Sequence, residues 1–271
     1  MERIILIETS TALCSVALAE DGAIVSYRES SAPKAHASLT AVFIQEMLSE
    51  RGLALADCDA VCVSMGPGSY TGLRVGVSTA KGLCFGSGKP LLAVGTLDTL
   101  VAQAAAACYP DAAACHPDAP ACHPDAPACH PERSEGSFHC PPSGNYRYII
   151  PMIDARRMEV YTAVFEADEA DAKESLRYRQ ITETAPAIID ENSFSEYLEQ
   201  GPCLFIGDGA GKCADVIRHP NATFCQCWPK ASSMLEPAVA AFRAGNFQDV
   251  AYFEPFYLKE FVATVSKKKL W

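Results

Sequence analysis

Apolar and polar positions along the first hundred residues follow the periods of short strands and then of alternating helices and strands. Three runs near the start are apolar or alternating and are separated by turn residues, which predicts a meander of three strands. After them, apolar side chains at helical spacing alternate with short buried runs, which predicts helix, strand, helix, strand and helix. The predicted strands are 3–8, 14–19, 23–28, 59–65 and 91–94, and the predicted helices are 34–51, 71–85 and 96–107.

Residues 147–244 repeat this order of elements. The strands predicted there are 147–154, 160–166, 175–182, 203–206 and 223–228, and the helices are 186–199, 212–218 and 232–244. A meander followed by alternating helices and strands requires a mixed sheet with helices on its faces. Two copies predict a duplicated α/β protein with two lobes and a cleft between them. This element order resembles the actin, hexokinase and Hsp70 superfamily, whose lobes are ribonuclease H-like.

Residues 109–145 separate the two repeats and have a different composition. They hold 8 of the 18 prolines and 4 of the 6 histidines, and no Ile, Leu, Val, Met or Trp, so they cannot form a packed core. We therefore predict an N-terminal lobe at 1–108, a low-complexity insertion at 109–145 and a C-terminal lobe at 146–271. The repeated unit ACHPDAP is either a metal-binding tract or a repeated surface loop. The residues that would bind the metal are Cys115, His116, Cys122 and His123.

Charge and cysteine content exclude several classes of protein. The 271 residues carry 22 Lys and Arg against 33 Asp and Glu, a net charge of −11, which repels a nucleic acid backbone. No apolar run approaches the ~18 residues of a membrane helix, and the start does not resemble a signal peptide, so we expect a cytoplasmic protein. We expect the 13 cysteines to be free thiols. Two basic clusters, Arg156–Arg157 and Lys267–Lys269, are either solvated charges or contacts for RNA.

A glycine-rich loop, Gly66-Pro67-Gly68-Ser69, lies between a predicted strand and a predicted helix. Its glycines allow close approach of the backbone, and a helix start can receive an anion, but a steric strand-to-helix turn needs the same residues. The loop lacks the Gly-Lys-Ser/Thr of a Walker motif. Gly207-Asp208-Gly209 in the second repeat has the same two interpretations. The candidate nucleotide- or anion-binding residues are Thr9, Ser10, Gly66, Gly68, Ser69, Thr71, Gly207 and Gly209.

Two predicted helices of the first repeat carry a possible partner interface. Small residues recur once per turn at Gly72, Gly76 and Ala80, so another helix can approach closely. The helix at 34–51 has a wider apolar surface than one buried face requires. The alternative is a helix pair buried within its own lobe. The candidate interface residues are His36, Leu39, Phe43, Met47, Gly72, Leu73, Gly76 and Ala80.

Catalytic residues in a recognisable arrangement are missing from the sequence. Outside the insertion the chain has two histidines, His36 and His219, with no H-x-x-x-H or H-E-x-x-H, which argues against a metalloprotease. No G-x-S-x-G motif is present for acyl transfer. The first predicted strand ends Glu8-Thr9-Ser10, where kinases and ATPases of the actin-like superfamily have Asp-x-Gly-Thr. The longer Glu8 and the side chain of Ser10 argue against metal and phosphate binding there.

Four blocks of sequence carry a more specific resemblance. They are ETSTALCSVAL (8–18), SMGPGSYTGLRVGVSTAKGL (64–83), IDARRMEVYTAVF (153–165) and PFYLK (255–259). With them the chain resembles the bacterial TsaB (YeaZ) family, the non-catalytic members of the Gcp-like superfamily, over nearly its whole length apart from the insertion. The resemblance implies a role in making N6-threonylcarbamoyladenosine (t6A) beside the anticodon of tRNA.

The same resemblance implies the partners and the division of chemistry. It implies a subunit without catalytic residues, which pairs with the related catalytic subunit TsaD, assembles with the ATPase TsaE and serves tRNA indirectly. It implies no intrinsic cofactor, because the partner complex uses ATP and TsaD holds a metal through two histidines. By this resemblance, His36 stands at the helix start where TsaD has one of its metal-binding histidines. Val94–Leu97 stands where TsaD has its second histidine motif, and it contains no histidine. A homodimer without TsaD is also expected. The rival hypotheses are an actin-like kinase or ATPase and a nucleotide-binding module.

Overall fold

The structure is a computed structural model, which describes residues 1–108, 144–168 and 177–258. The predicted metal-binding residues of the insertion and the basic cluster Lys267–Lys269 lie outside these ranges. Within them, no helix combines the length and the apolar character that crossing a membrane demands.

The first sheet has five strands in the order β3-β2-β1-β4-β5. They are β1 (Arg3–Glu8), β2 (Cys14–Glu20), β3 (Ala23–Ser30), β4 (Ala60–Gly66) and β5 (Leu91–Gly95). The meander β1-β2-β3 is antiparallel, and β1, β4 and β5 are parallel. Because side chains alternate across a strand, Ile5 and Ile7 enter one hydrophobic core and Ile4 and Leu6 enter another on the opposite face.

Helices α1 (Ala35–Glu50) and α2 (Tyr70–Ser87) cover the first of these faces. Ile44 of α1 and Val77 of α2 are buried in its core. Helix α2 begins after Ser69, whose Oγ accepts the N–H of Gly72, and it ends at Gly88 with φ +68°, a conformation that suits glycine. Helix α3 (Thr96–Cys108) follows β5 directly.

The second sheet has seven strands, with β10-β7-β6-β11-β12 in a row and β8 and β9 attached through β6. Its strands are β6 (Tyr148–Asp154), β7 (Glu159–Thr162), β8 (Phe165–Asp168), β9 (Arg177–Gln180), β10 (Ala185–Ile188), β11 (Cys203–Ile206) and β12 (Ala222–Cys225). The helices of this half of the chain are α4 (Ser195–Leu198), α5 (Ala210–Ala214) and α6 (Leu235–Arg243).

The second repeat departs from the predicted order at two places. The predicted strand 160–166 is interrupted and forms parts of β7 and β8. The predicted helix 186–199 is wrong, because Ala185–Ile188 pairs with β7 as an edge strand and only Ser195–Leu198 is helical. An edge strand tolerates Pro186, which has no N–H to donate to a neighbour.

Each lobe completes its core with a helix from the other half of the chain. Leu97 and Leu100 of α3 pack with Ile149, Leu204 and other residues of the second sheet. Conversely, Met234 and the start of α6 pack on the first sheet. The proposed division at 1–108 and 146–271 therefore separates the two sheets, but it does not separate their hydrophobic cores.

The segment after α6 also returns to the first lobe. Gln248 donates its N–H to Leu91 O at 2.8 Å, and Phe256 donates its N–H to Met65 O at 2.7 Å. Lys81 Nζ on α2 donates to two carbonyl oxygens of this segment, at residues 251 and 253, both at 3.0 Å. Residues 248–256 therefore form a strap across α2 and the carboxyl end of β4.

We predict that residues 1–108 expressed alone will not fold cooperatively, because α3 would lose the second sheet and the first sheet would lose the cover that residues 231–243 provide. Supplying residues 144–271 as a second chain should restore a cooperative urea transition, monitored by far-UV circular dichroism. The intact chain is the reference. A native-like transition in the 1–108 fragment by itself would contradict the exchange of helices between the two cores.

Candidate functional site

The loop that leaves β1 is buried against the start of α2. Glu8, Thr9 and Ser10 are fully buried. The carbonyl oxygen of Ser10 accepts the N–H of Ser69 at 2.6 Å, so the loop backbone caps the start of α2 from outside the helix. Residues 8–10, which we compared above with the metal- and phosphate-binding loop of the actin-like superfamily, are thus held by the chain's own backbone.

The glycines of the 66–72 loop and of α2 fit around this segment. A Cβ atom on Gly68 would lie 2.3 Å from Ser10 O, and one on Gly72 would lie 2.1 Å from Thr9 O. A Cβ on Gly76 would lie 2.2 Å from Thr9 Oγ1. These distances are far inside van der Waals contact. Gly72 and Gly76 therefore accommodate the β1–β2 loop, and Ala80 is buried in the core of the lobe, so this row faces its own lobe and not a helix of a partner.

The predicted interface residues divide by burial. Five of them are buried within the lobe: Met47, Gly72, Leu73, Gly76 and Ala80. These five cannot contact a partner while the lobe is folded. Leu39, Phe43 and His36 are partly exposed, and His36 Nε2 lies 2.8 Å from Thr11 O. The His36 side chain, close to the start of α1, thus contacts the backbone of the β1–β2 loop.

Two exposed apolar residues mark the outer side of α1 and α2. Val42 is 41% exposed and Phe85 is 87% exposed. Phe85 was absent from the predicted interface, although it lies opposite the buried row of small residues when α2 is viewed along its axis. With Ser38, Arg74 and Gly82, which are also exposed, these residues define what we call the outer helix face.

Glu8 is a buried carboxyl group with incomplete hydrogen bonding. Its Oε1 accepts from Ser10 N at 2.6 Å and from Ser64 Oγ at 3.0 Å. Among the described residues, Glu8 Oε2 has no hydrogen-bond partner. Burial raises the pKa of Glu8 to about 7, and the hydrogen bonds from Ser10 and Ser64 oppose part of that rise. The group can therefore exchange a proton near neutral pH.

The second glycine-rich turn closes on β6 in a similar way. A Cβ on Gly207, which has φ +132°, would lie 2.2 Å from Met152 O. Gly209 donates its N–H to the same carbonyl oxygen at 3.0 Å. Between them Asp208 accepts the N–H of Asp154 at 2.9 Å, and burial raises the pKa of Asp208 to about 6. These contacts support the interpretation of residues 207–209 as a steric turn, the alternative to a nucleotide- or anion-binding loop.

The described residues offer little for metal binding or for thiol chemistry. Across 1–108, 144–168 and 177–258, no three His, Cys, Asp or Glu side chains are grouped to hold a metal. Eight cysteines of those ranges, from Cys14 to Cys227, are buried and form no disulfide, as predicted for thiols. Burial raises the pKa of several of these thiols, Cys58 and Cys84 among them, so they are poor nucleophiles.

Comparison with known sequences gives relatives of nearly the same length. The "tRNA threonylcarbamoyladenosine biosynthesis protein TsaB" of Haemophilus influenzae is 40% identical over 269 residues, which cover 98% of this chain and 96% of that protein. The Escherichia coli protein of the same name is 29% identical, with 96% of both chains covered.

A shorter part of the chain is similar to a second protein. The family model "TsaD: tRNA N6-adenosine threonylcarbamoyltransferase" matches residues 29–119. The tRNA N6-adenosine threonylcarbamoyltransferase of Maricaulis maris is 43% identical over 67 residues, which cover 25% of this chain and 18% of that enzyme. Each of these two matches to the transferase therefore covers a minor part of the chain.

Solved structures confirm the predicted fold class. YeaZ from Pseudomonas aeruginosa superposes with a TM-score of 0.68 at 24% identity, covering 95% of this chain and all of that one. An uncharacterized protein with similarity to peptidase YEAZ from Pseudomonas aeruginosa gives a TM-score of 0.71 at 24% identity, covering 96% of this chain and 100% of the other. The two mixed sheets with flanking helices are thus an architecture that these proteins share.

Substituting Gly72 by Ala should destabilise the protein by about 3 kcal/mol, because the new methyl group would overlap Thr9 O. Gly82→Ala is the matched control on the same helix, since a Cβ there meets nothing within 4 Å. It should stabilise the protein by about 0.5–1 kcal/mol through helix propensity. Urea unfolding measures both. Equal effects of the two substitutions would contradict the assigned contact.

Glu8→Gln should change how stability depends on pH. Because the folded-state pKa of Glu8 lies near 7 and its ordinary value is 4.5, the stability that protonated Glu8 contributes is fully present below pH 4.5 and is lost as pH rises through 7. The difference in unfolding free energy, variant minus wild type, should therefore rise by roughly 3 kcal/mol between pH 4.5 and 8. Urea titrations at both pH values measure it, and a constant difference would exclude the shifted pKa.

Proposed function

The chain belongs to the TsaB family of tRNA threonylcarbamoyladenosine biosynthesis proteins, and from this membership we propose that it is a non-catalytic subunit that binds a TsaD-like transferase. Family membership itself rests on 40% identity over nearly the whole of both chains. It assigns the protein to the biosynthesis of t6A in tRNA. The pairing, the absence of catalysis and the further partners are our proposal.

The closed loop after β1 is the observation that supports a non-catalytic role most directly. Thr9 O and Ser10 O lie 2.1 and 2.3 Å from where Cβ atoms on Gly72 and Gly68 would be, so the glycines accommodate protein backbone. A phosphate group would have to displace that backbone. This favours a subunit without an intrinsic cofactor over the rival hypothesis of a kinase or ATPase. We propose that ATP is used by a TsaE-like partner and that the metal is held by the TsaD-like partner.

The outer helix face is the surface we propose for the TsaD-like partner. The segment similar to the transferase, 29–119, contains both α1 and α2. Two related proteins can pair through equivalent surfaces about a pseudo-twofold axis, much as identical chains do in a symmetric dimer. The same surface would form a homodimer when the partner is absent.

The chemistry of this face suits helix packing. Val42 and Phe85 supply apolar area that is exposed in the isolated chain. Ser38 and Gly82 are small, so helices of a partner can approach closely. Within the interface predicted from sequence, Leu39 and Phe43 remain available at its edge, since both are partly exposed.

The acidic character of the chain bears on which subunit of the complex binds tRNA. With a net charge of −11, it is repelled by RNA as a whole, so we propose that the TsaD-like subunit is the main tRNA-binding component. The complete assembly would then contain this chain, a TsaD-like transferase and a TsaE-like ATPase, and would act on tRNA in the cytoplasm.

Phe85→Asp should abolish binding to the TsaD-like subunit, because it places a charge within an apolar contact. It should also abolish t6A formation in a reaction reconstituted from this chain, the TsaD-like and TsaE-like subunits, ATP, an activated threonylcarbamoyl donor and tRNA. Pull-down and nucleoside analysis measure the two effects. Ile188→Asp is the matched control for binding, since Ile188 is 79% exposed on the second lobe.

Two results would contradict the proposal. Retained pull-down of the TsaD-like subunit by the Phe85→Asp variant would exclude the outer helix face as the contact. Full t6A formation in a reaction from which this chain is omitted would exclude its role as a required subunit. Unchanged thermal unfolding of the variant serves as the control that loss of binding does not come from loss of fold.

A further inference from the structure

The turn between β6 and β7 carries two adjacent arginines in an unusual backbone conformation. Arg156 has φ 71° and Arg157 has φ 50°, both in the left-handed region. For residues other than glycine this conformation costs about 1 kcal/mol or more per residue. Two such residues in succession persist only where the surrounding structure holds them there.

Lys212 on α5 supplies most of that support. Its Nζ donates to Arg157 O and to Glu159 O, both at 2.7 Å, and forms an ion pair with Asp154. Asp154 Oδ1 also accepts the N–H of Arg156 at 3.1 Å. The three donors of one ammonium group are thus used to fix the backbone of this turn.

The guanidinium groups of the turn are left without partners. Arg156 and Arg157 are exposed, and within the described part of the chain neither side chain makes a hydrogen bond or an ion pair. Arg179 and Arg218 are likewise exposed and without a side-chain partner among the described residues, whereas five other arginines form ion pairs with glutamates. Those arginines are Arg3, Arg28, Arg51, Arg147 and Arg243.

The acidic groups near the turn have partners other than the two arginines. Asp154 pairs with Lys212, and Asp208 is turned toward the backbone, where it accepts the N–H of Asp154. Glu159 also has a contact of its own. The guanidinium groups of Arg156 and Arg157 therefore remain available, and a guanidinium group can bind a phosphate through two parallel hydrogen bonds.

We propose that Arg156 and Arg157 contact the phosphate backbone of the tRNA when this chain is part of the assembled complex. This inference rests on the proposed function, which brings tRNA to the complex through the catalytic subunit. Phosphate contacts fix the register and orientation of a nucleic acid and carry no sequence information. The pair would therefore position the tRNA for the transferase without taking part in the chemistry.

The test compares two double variants with the same change in charge. Arg156→Gln with Arg157→Gln removes the proposed contact, and Arg179→Gln with Arg218→Gln removes two other exposed arginines of the second lobe. Affinity of the reconstituted complex for tRNA is measured from 50 to 200 mM salt. The first variant should bind about tenfold more weakly, and its slope of log affinity against log salt should be shallower by about 2. The control should match wild type.

Further measurements separate a contact from a structural effect. The KM for tRNA should rise while kcat changes little, and Arg156→Lys with Arg157→Lys should retain part of the affinity because it retains the charge. Unchanged melting temperature and unchanged binding to the TsaD-like subunit in the absence of RNA are also expected.

Three outcomes would overturn the proposal. They are wild-type tRNA affinity and salt dependence in the first variant, an equal loss in the control, and loss of binding to the TsaD-like subunit without RNA, which would assign the arginines to a protein contact. The proposed function fails separately, since it fails when the wild-type chain is dispensable for t6A formation.

Discussion

The close contact between α2 and the backbone of Thr9 and Ser10 is the constraint on which the rest of the structure depends. It requires glycine at 68, 72 and 76, because a methyl group at any of these positions would overlap the loop. The contact fixes the position of α2 against the first sheet, and Glu8 is fully buried next to it. It also determines which side of α2 remains exposed, so the contact that closes the loop and the surface proposed for the partner are opposite faces of one helix.

The exchange of helices makes the two lobes energetically dependent on each other. Leu100 is the clearest example. Its helix, α3, directly follows β5 of the first sheet, yet Leu100 is fully buried in the core of the second sheet. The strap at residues 248–256 adds a further tie, because it bonds to α2 through Lys81. The two sheets are therefore joined through shared cores, and the C-terminal segment is joined to the first lobe through the strap.

Sequence predicted the first lobe more closely than the second for a physical reason. The strand at Arg3–Glu8 was predicted to the residue, because it is buried and bounded by polar turns. The helix 186–199 was not, since apolar residues around Pro186 fit a short edge strand as well as an irregular helix. The row of small residues on α2 is visible in the sequence. Sequence alone does not show whether a loop of the same lobe or a helix of another protein packs against that row. The conformation of the turn at Arg156 and Arg157 involves hydrogen bonds from Lys212, which is far along the chain and which local sequence does not indicate.

A loop that is filled by its own backbone behaves differently from one that is filled by a nucleotide. In a nucleotide-binding lobe, the phosphates supply part of the packing at the helix start, so the position of that helix depends on the ligand. Here Ser10 O accepts the N–H of Ser69 instead. The position of helix α2 therefore does not rely on a nucleotide at this loop. If the proposed function holds, we expect any dependence of complex assembly on ATP to originate in another subunit.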